Sequence, residues 1–296
     1  MLHSLPLLHS LPSLPSLPSL PSLPSLHSLP SLLSLPSLHS LLSLGPLGPF
    51  GPLGPQFPVD EILMLALPAL AAGNTVVVKP SEVAPLSGAA TVEALVRGLA
   101  RAGHPDACRL LQGDGRVGAA LVGHGDVALI GMTGSSATGA RIMRECASGL
   151  KRLVLELGGK DPMVVFADAD LDRAAADAVA NSLGNCGQVC CAVERIYVAE
   201  GVRDAFCERV VREARKWSCG PGLEPASKVG PLVSAVQRET VHRHVEAARE
   251  AGATVALGGC LPPATSRGFF YPPTVLLDVP HDALREVGAG AWVDGT

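Results

Sequence analysis

Between residues 58 and 277 the apolar positions change period again and again, and each change marks a new element. Residues 59–72 are apolar over a helical length and read as a buried helix. Residues 74–79, Asn-Thr-Val-Val-Val-Lys, form a short β-branched run, the mark of a buried strand. The alternation continues through a helix over 87–102 closed by Gly103, a strand at 108–111, a helix opening at 118–122 and a strand at 127–132. A helix over 136–149 follows, then a strand over 153–157 stopped by Gly158 and Gly159. Beyond them come a strand at 162–166, a helix at 171–183 and a strand at 195–199. Two long helices with charges on one face, 202–217 and 235–251, and strands at 254–257 and 271–277 complete the series. This order predicts an α/β fold with a mostly parallel sheet, helices on both faces and ligands at the carboxyl ends of the strands.

Composition divides the chain. The first 59 residues hold no Asp, Glu, Lys or Arg and 13 of the 26 prolines; all 50 charged residues begin at Asp60. Residues 4–44 are built on Ser-Leu-Pro, and residues 45–55 switch to Gly-Pro-Leu/Phe. Proline at every third position removes N–H donors and fixes φ, so residues 1–55 are expected to form a disordered, polyproline-like leader. Such a leader reads first as functionless sequence and second as a linker or a ligand for a proline-binding module. It has neither the basic start and unbroken apolar core of a secretory signal nor the arginines of a transit peptide. A net charge of −4 without a basic cluster argues against nucleic acid as a partner. No apolar run reaches the length of a membrane span. Eight cysteines from Cys108 to Cys260 fit reduced thiols inside a cell, in the cytoplasm foremost, with an organelle left open.

Five segments carry candidate chemistry. Gly113-Asp-Gly115-Arg-Val-Gly118 has the spacing of a dinucleotide loop but no acidic partner about 20 residues on, so it also reads as a tight strand-to-helix turn. Glu156 ends a strand before Gly158-Gly159-Lys160, where partial desolvation suits a general base; the plainer reading pairs it with Lys160. Cys190, in Gly187-Gln-Val-Cys, lies in a Gly-rich loop whose free backbone N–H groups and electropositive setting would suit a nucleophile; a structural thiol fits the same pattern. Cys186, Cys190 and Cys191 lack a fourth ligand at a zinc spacing. Lys79-Pro-Ser81-Glu82 at a strand's carboxyl end could hydrogen-bond sugar hydroxyls or form a solvated turn. Thr133-Gly134-Ser135 opens a helix that could accept a phosphate or be simply Ser-capped. His242 and His244, two apart on a helix, read as surface residues.

Taken in order, KPSE, TGSSATG, LELGGK and GQVC resemble the aldehyde dehydrogenase superfamily. So do Val229-Gly-Pro-Leu-Val-Ser and Gly268-Phe-Phe-Tyr-Pro-Pro-Thr-Val, with Glu156 and Cys190 34 positions apart as in that family. The resemblance runs from about Gln56 to about Glu286. It implies a Rossmann-like NAD-binding domain, in part, over residues 56–157 and part of an α/β catalytic domain over 158–296. It further implies oxidation of an aldehyde by NAD, with NADP the other candidate. Cys190 would attack the aldehyde to form a thiohemiacetal and then a thioester, and Glu156 would activate the hydrolytic water, which favours hydrolysis over transfer to coenzyme A. Lys79, Ser81 and Glu82 would hold the adenosine side, with Glu82 repelling a 2′-phosphate. Gly115, Gly134, Ser135 and Leu157 would line the rest of the cofactor path.

Three departures from the family pattern suggest a catalytically impaired relative, or a binding or regulatory protein, as the alternative. Gln56 stands 23 residues before Lys79, where the family has an Asn that donates to the oxyanion. The Glu-Glu-x-Phe-Gly-Pro motif expected after Arg285 is replaced by Glu286-Val-Gly-Ala-Gly, and the family's oligomerisation segment has no counterpart. The part of the cofactor domain that precedes W-N-F-P in the family is replaced by the leader, so unpaired strand edges are expected.

Overall fold

A computed structural model describes residues 39–43, 57–262, 267–280 and 291–295. The elements run β1 His39–Ser43, α1 Asp60–Ala71, β2 Thr75–Lys79, α2 Pro85–Arg101, β3 Cys108–Leu110, α3 Gly115–Gly123, β4 Leu129–Gly134, α4 Ser136–Ala147 and β5 Arg152–Leu157. They continue with β6 Asp161–Val165, α5 Leu171–Leu183, β7 Val193–Val198, α6 Arg203–Ala214, α7 Ala235–Glu250, β8 Thr254–Leu257, β9 Val275–Leu277 and β10 Ala291–Gly295. Two five-stranded sheets result, ordered β3-β2-β1-β4-β5 and β6-β7-β10-β9-β8. The first is parallel throughout. The second is parallel except for the β8–β9 pair.

The alternating side chains of β2 explain why the first sheet is covered on both faces. Val76 and Val78 pack with Ile62 and Ala66 of α1 and Val92 of α2, while Val77 turns to the cluster of Ile130, Met132, Val122 and Ile142 under α3 and α4. The second sheet buries Val165, Ile196 and Val198 against Ala175, Ala178 and Val179 of α5 and Phe206 and Val210 of α6. α7 joins through Ala248, which packs with Leu276.

The reading of residues 1–55 as a disordered leader is corrected at His39–Ser43. That segment is the central strand of the first sheet, in register with β2 (Leu41 opposite Val77) and with β4 (Leu41 opposite Ile130). Residues 37–45 are the stretch of the repeat from which proline drops out. A central strand needs its N–H groups on both sides, and this window supplies them. The first sheet therefore draws on residues ahead of position 56, and its centre is filled. Strand β10 was not anticipated either; it pairs with β7 and β9 in the middle of the second sheet. Observed bounds otherwise follow the expected ones within a few residues, the largest differences being β9, which keeps only the end of 271–277, and α3, which starts at Gly115.

Helix α1 begins with Asp60 and Glu61. Burial outweighs the helix N-terminus at Glu61 and pushes its carboxyl from 4.5 up to about 7. Between these values the folded state holds this proton while the unfolded chain has lost it, so the contribution of Glu61 to stability is fully present below pH 4.5 and is lost as pH rises through about 7. Glu61→Gln should flatten that fall and raise stability at pH 8 by about 1 kcal/mol once solvent screening is allowed for. Urea midpoints at pH 5 and pH 8 check it; an unchanged difference between them would rule out Glu61 as the source.

Candidate active site

In the first sheet the chain moves outward from β1 to β2 and β3, then returns to β4 on the other side. The crevice at the carboxyl ends of the strands flanking this switch is where open α/β sheets take ligands. The segments after β2, β3, β4 and β5 all end on that edge, and they carry Lys79 to Glu82, Gly113 to Gly115, Gly134 to Ser135, and Glu156 to Leu157. Glu82 and Gly115 line one cleft of about 660 Å³ together with Asp114, Arg116, Arg141 and Glu145.

Lys79 is fully buried. Its ammonium donates to the carbonyls of Pro80 and Gly113, both at 2.9 Å, and lies 3.6 Å from Glu82. Burial lowers its pKa, with Glu82 opposing. Lys79 therefore ties the β2 end to the loop after β3, leaving Glu82 to face the cleft. Gly113 adopts φ +153, and a Cβ there would meet Val117 Cγ2 at 2.4 Å, so glycine is required. Asp114 caps α3 by accepting from the Arg116 N–H at 3.0 Å. The Gly113–Gly118 motif is thus a capped turn into a helix whose first residue, Gly115, reaches the cleft.

Ser81 Oγ accepts from the Val83 N–H at 3.3 Å. Ser135 caps α4, accepting from the Thr138 N–H at 3.2 Å, and its Oγ donates to Thr138 Oγ1 at 3.0 Å. Gly134 pairs in register with Leu157, and Thr133 with Glu156. Thr133 Oγ1 is buried with no hydrogen-bond partner among the described residues. Nothing in the sequence marked that hydroxyl; only its position on a strand end between two motifs could have drawn attention to it.

Two expectations are corrected here. Glu156 is exposed, because the side chains of edge strand β5 alternate between half-buried and exposed and Glu156 falls on the exposed set. It does not pair with Lys160, whose ammonium donates instead to Glu194 Oε2 at 2.7 Å. Cys190 is exposed as expected, but its pKa is shifted up rather than down. Partial burial pushes its pKa up, and the adjacent Cys191 pushes it further, while the N–H groups of Cys190 and Cys191 pull weakly the other way. Other loop N–H groups are already committed, Gln188 N to Asn185 O and Ala192 N to Val189 O, both at 3.1 Å. Cys191→Ser should lower the Cys190 pKa and speed its alkylation by iodoacetamide at pH 7 several-fold. Peptide mass mapping over time checks this, and a slower reaction in the variant would contradict it.

The Cys190 loop is strained and clamped. Asn185 and Cys186 sit at positive φ, 49° and 62°. Gln188 spans the turn, donating to Asn185 O at 3.1 Å and accepting from Val233 N at 3.0 Å, and the Cys186 thiol donates to Gly230 O at 3.2 Å. The Gly159 N–H donates to Cys190 O at 3.1 Å, which brings the loop to the segment three residues past Glu156. His242, expected at the surface, is half-buried instead, its Nδ1 3.2 Å from Tyr271 Oη. Gln56 and Glu286 lie outside the described residues. Among the described residues no group of three or more His, Cys, Asp or Glu side chains could hold a metal ion, and no helix is long and apolar enough to cross a membrane.

These features define a two-sheet α/β protein with a cofactor-sized cleft at the edge of one sheet and a cysteine loop stitched to the link between the sheets. The chain belongs to the aldehyde dehydrogenase family, whose profile matches residues 27–285. It is 42% identical over 226 residues to betaine aldehyde dehydrogenase of Brucella ovis, a match covering 75% of this chain and 46% of the relative. Among solved structures it is similar to lactaldehyde dehydrogenase from Escherichia coli, with TM-score 0.78 and 35% identity over 88% of this chain and 53% of that one. A betaine aldehyde dehydrogenase from Staphylococcus aureus in complex with NAD+ matches with TM-score 0.77 and 30% identity, over 88% of this chain and 51% of that one. The chain thus spans about half the length of these relatives.

Proposed function

We propose that this protein oxidises an aldehyde to a carboxylic acid with NAD(P), using Cys190 as nucleophile and Glu156 as general base. The observation that carries the reading is the convergence of four motif segments on one sheet edge, with Cys190 O bonded to Gly159 just past Glu156. The relatives, themselves aldehyde dehydrogenases, support it.

The residues present fit the cofactor. The cleft is of small-molecule size, α4 offers the N–H groups of a helix N-terminus at Ser135, and the Thr133 hydroxyl lacks a partner. Glu82, Ser81, Gly115, Gly134, Ser135 and Leu157 would hold NAD(P), with Lys79 bracing the cleft wall. The Glu82 carboxylate facing the cleft supports NAD over NADP by repelling a 2′-phosphate. When bound, NAD(P) supplies the hydride acceptor. Cys190, once deprotonated, adds its sulfur to the aldehyde carbon to give a thiohemiacetal, and the oxidised adduct is a thioester on the same sulfur. Glu156, open to solvent, takes a proton from the water that attacks the thioester, and the acid leaves as the Cys190 thiolate returns.

In this reading residues 56–157 form the cofactor part, joined by the strand His39–Ser43, and residues 158–296 form the catalytic part. The Gln at position 56, where the family has an Asn that donates to the oxyanion, favours a second reading, a family member that binds the cofactor without turnover. Following NADH absorbance with NAD+ and a panel of aldehydes, betaine aldehyde and lactaldehyde included, decides between them. NADH together with the matching acid supports oxidation. NAD+ binding by calorimetry without NADH from any aldehyde would leave the second reading standing.

A further inference from the structure

The link from β5 to β6 is held to the cysteine loop by more than one bond. The Gly159 N–H donates to Cys190 O at 3.1 Å, and Arg195 Nε donates to Lys160 O at 2.8 Å. The Lys160 ammonium donates to Glu194 Oε2 at 2.7 Å; the Glu194 side chain is 8% exposed and that of Lys160 22%. Glu194 lies at the start of β7, four residues past Cys190, and Lys160 four residues past Glu156. Gly159 leaves no slack in this arrangement, since a Cβ on it would meet Cys190 O at 2.7 Å.

A buried ion pair contributes little net stability, because desolvation offsets the attraction. Its effect here is geometric. Glu156 is fixed to the first sheet by its register with Thr133, whereas Cys190 precedes β7 in a loop. We propose that Lys160 and Glu194 are positioning residues that set the spacing between the Glu156 carboxylate and the Cys190 thiol. The inference rests on the roles given to those two groups above. Formation of the thioester needs Cys190 and the hydride acceptor NAD(P) but not Glu156, whereas its hydrolysis needs both residues at one carbon. Loss of the pair should therefore slow the second step selectively.

The test compares Glu194→Gln, Lys160→Met, the apolar pair K160M/E194M and the reversed pair K160E/E194K in the full chain. The apolar pair guards against simple unfolding, because such replacements commonly keep stability. In each single variant and in the apolar pair, exchange of the Gly159 amide should quicken about tenfold. Aldehyde should give an NADH burst equal to the enzyme present, followed by turnover slowed about 10- to 100-fold. The reversed pair should restore both. Unchanged Gly159 exchange in the folded apolar pair would overturn the proposal, as would an equal fall in burst rate and turnover. Absence of NADH from the unaltered chain would instead remove the catalytic roles, and Gly159 exchange would still report whether the pair holds the loop.

Discussion

If Cys190 is the group that carries the acyl intermediate, as proposed above, replacing it with alanine should reduce NADH formation from an aldehyde by about 10⁴-fold or more. The neighbouring thiol makes this a sharp test. Cys191 is also exposed and adjoins Cys190, so Cys191→Ala should leave turnover largely intact. After brief reaction with aldehyde and NAD+, mass spectrometry should find the acyl group on the peptide containing Cys190 and on none in the alanine variant. Retained turnover in Cys190→Ala, or loss in Cys191→Ala alone, would reassign the nucleophile. The thiol's raised pKa adds a pH dependence: the thiolate fraction, and with it the rate of thioester formation, should climb as pH rises beyond the ordinary thiol range.

Leu41→Pro should destabilise the protein by about 3 kcal/mol or more. Leu41 lies at the middle of β1, opposite Val77 on one side and Ile130 on the other. Proline there removes the N–H from a ladder flanked on both sides and disturbs the strand through which β2 and β4 are joined. Because the cleft is built on the ends of those strands, NAD+ binding should fall together with the thermal midpoint. Differential scanning calorimetry with and without NAD+ reads both effects. A variant that melts at the same temperature as the unaltered chain would return residues 39–43 to the leader.

Local chemistry made most of the fold legible. The β-branched run ending at Lys79, the Ser cap ahead of α4 and the Gly pair after β5 each identify an element from a few neighbouring residues. The candidate motifs were legible in the same way, as strand ends and helix starts. The β1 strand was hidden because the proline period around it dominated the composition, and a five-residue window within it was enough to build a strand. The state of the Cys190 thiol was hidden for another reason. It depends first on burial of the loop, which neighbouring letters do not record, and only then on the adjacent Cys191, which they do.

By itself, the sequence determined the order of strands and helices from α1 to β9, the family and the identity of the chemical groups. The elements follow from side-chain period and turn residues, which act over a few residues, and the family from the resemblance of its ordered motifs. Only the tertiary structure decided that Lys79 is wholly buried as a brace to Gly113, that Lys160 pairs with Glu194 rather than Glu156, and that Glu156 is open to solvent. It also decided that a stretch of the leader completes the first sheet. Each of these depends on contacts across 30 or more residues of chain, on the path of the backbone between sheets, or on an edge position in a sheet. Burial and hydrogen-bond partnership are properties of the packed chain, and they set what each polar group can do.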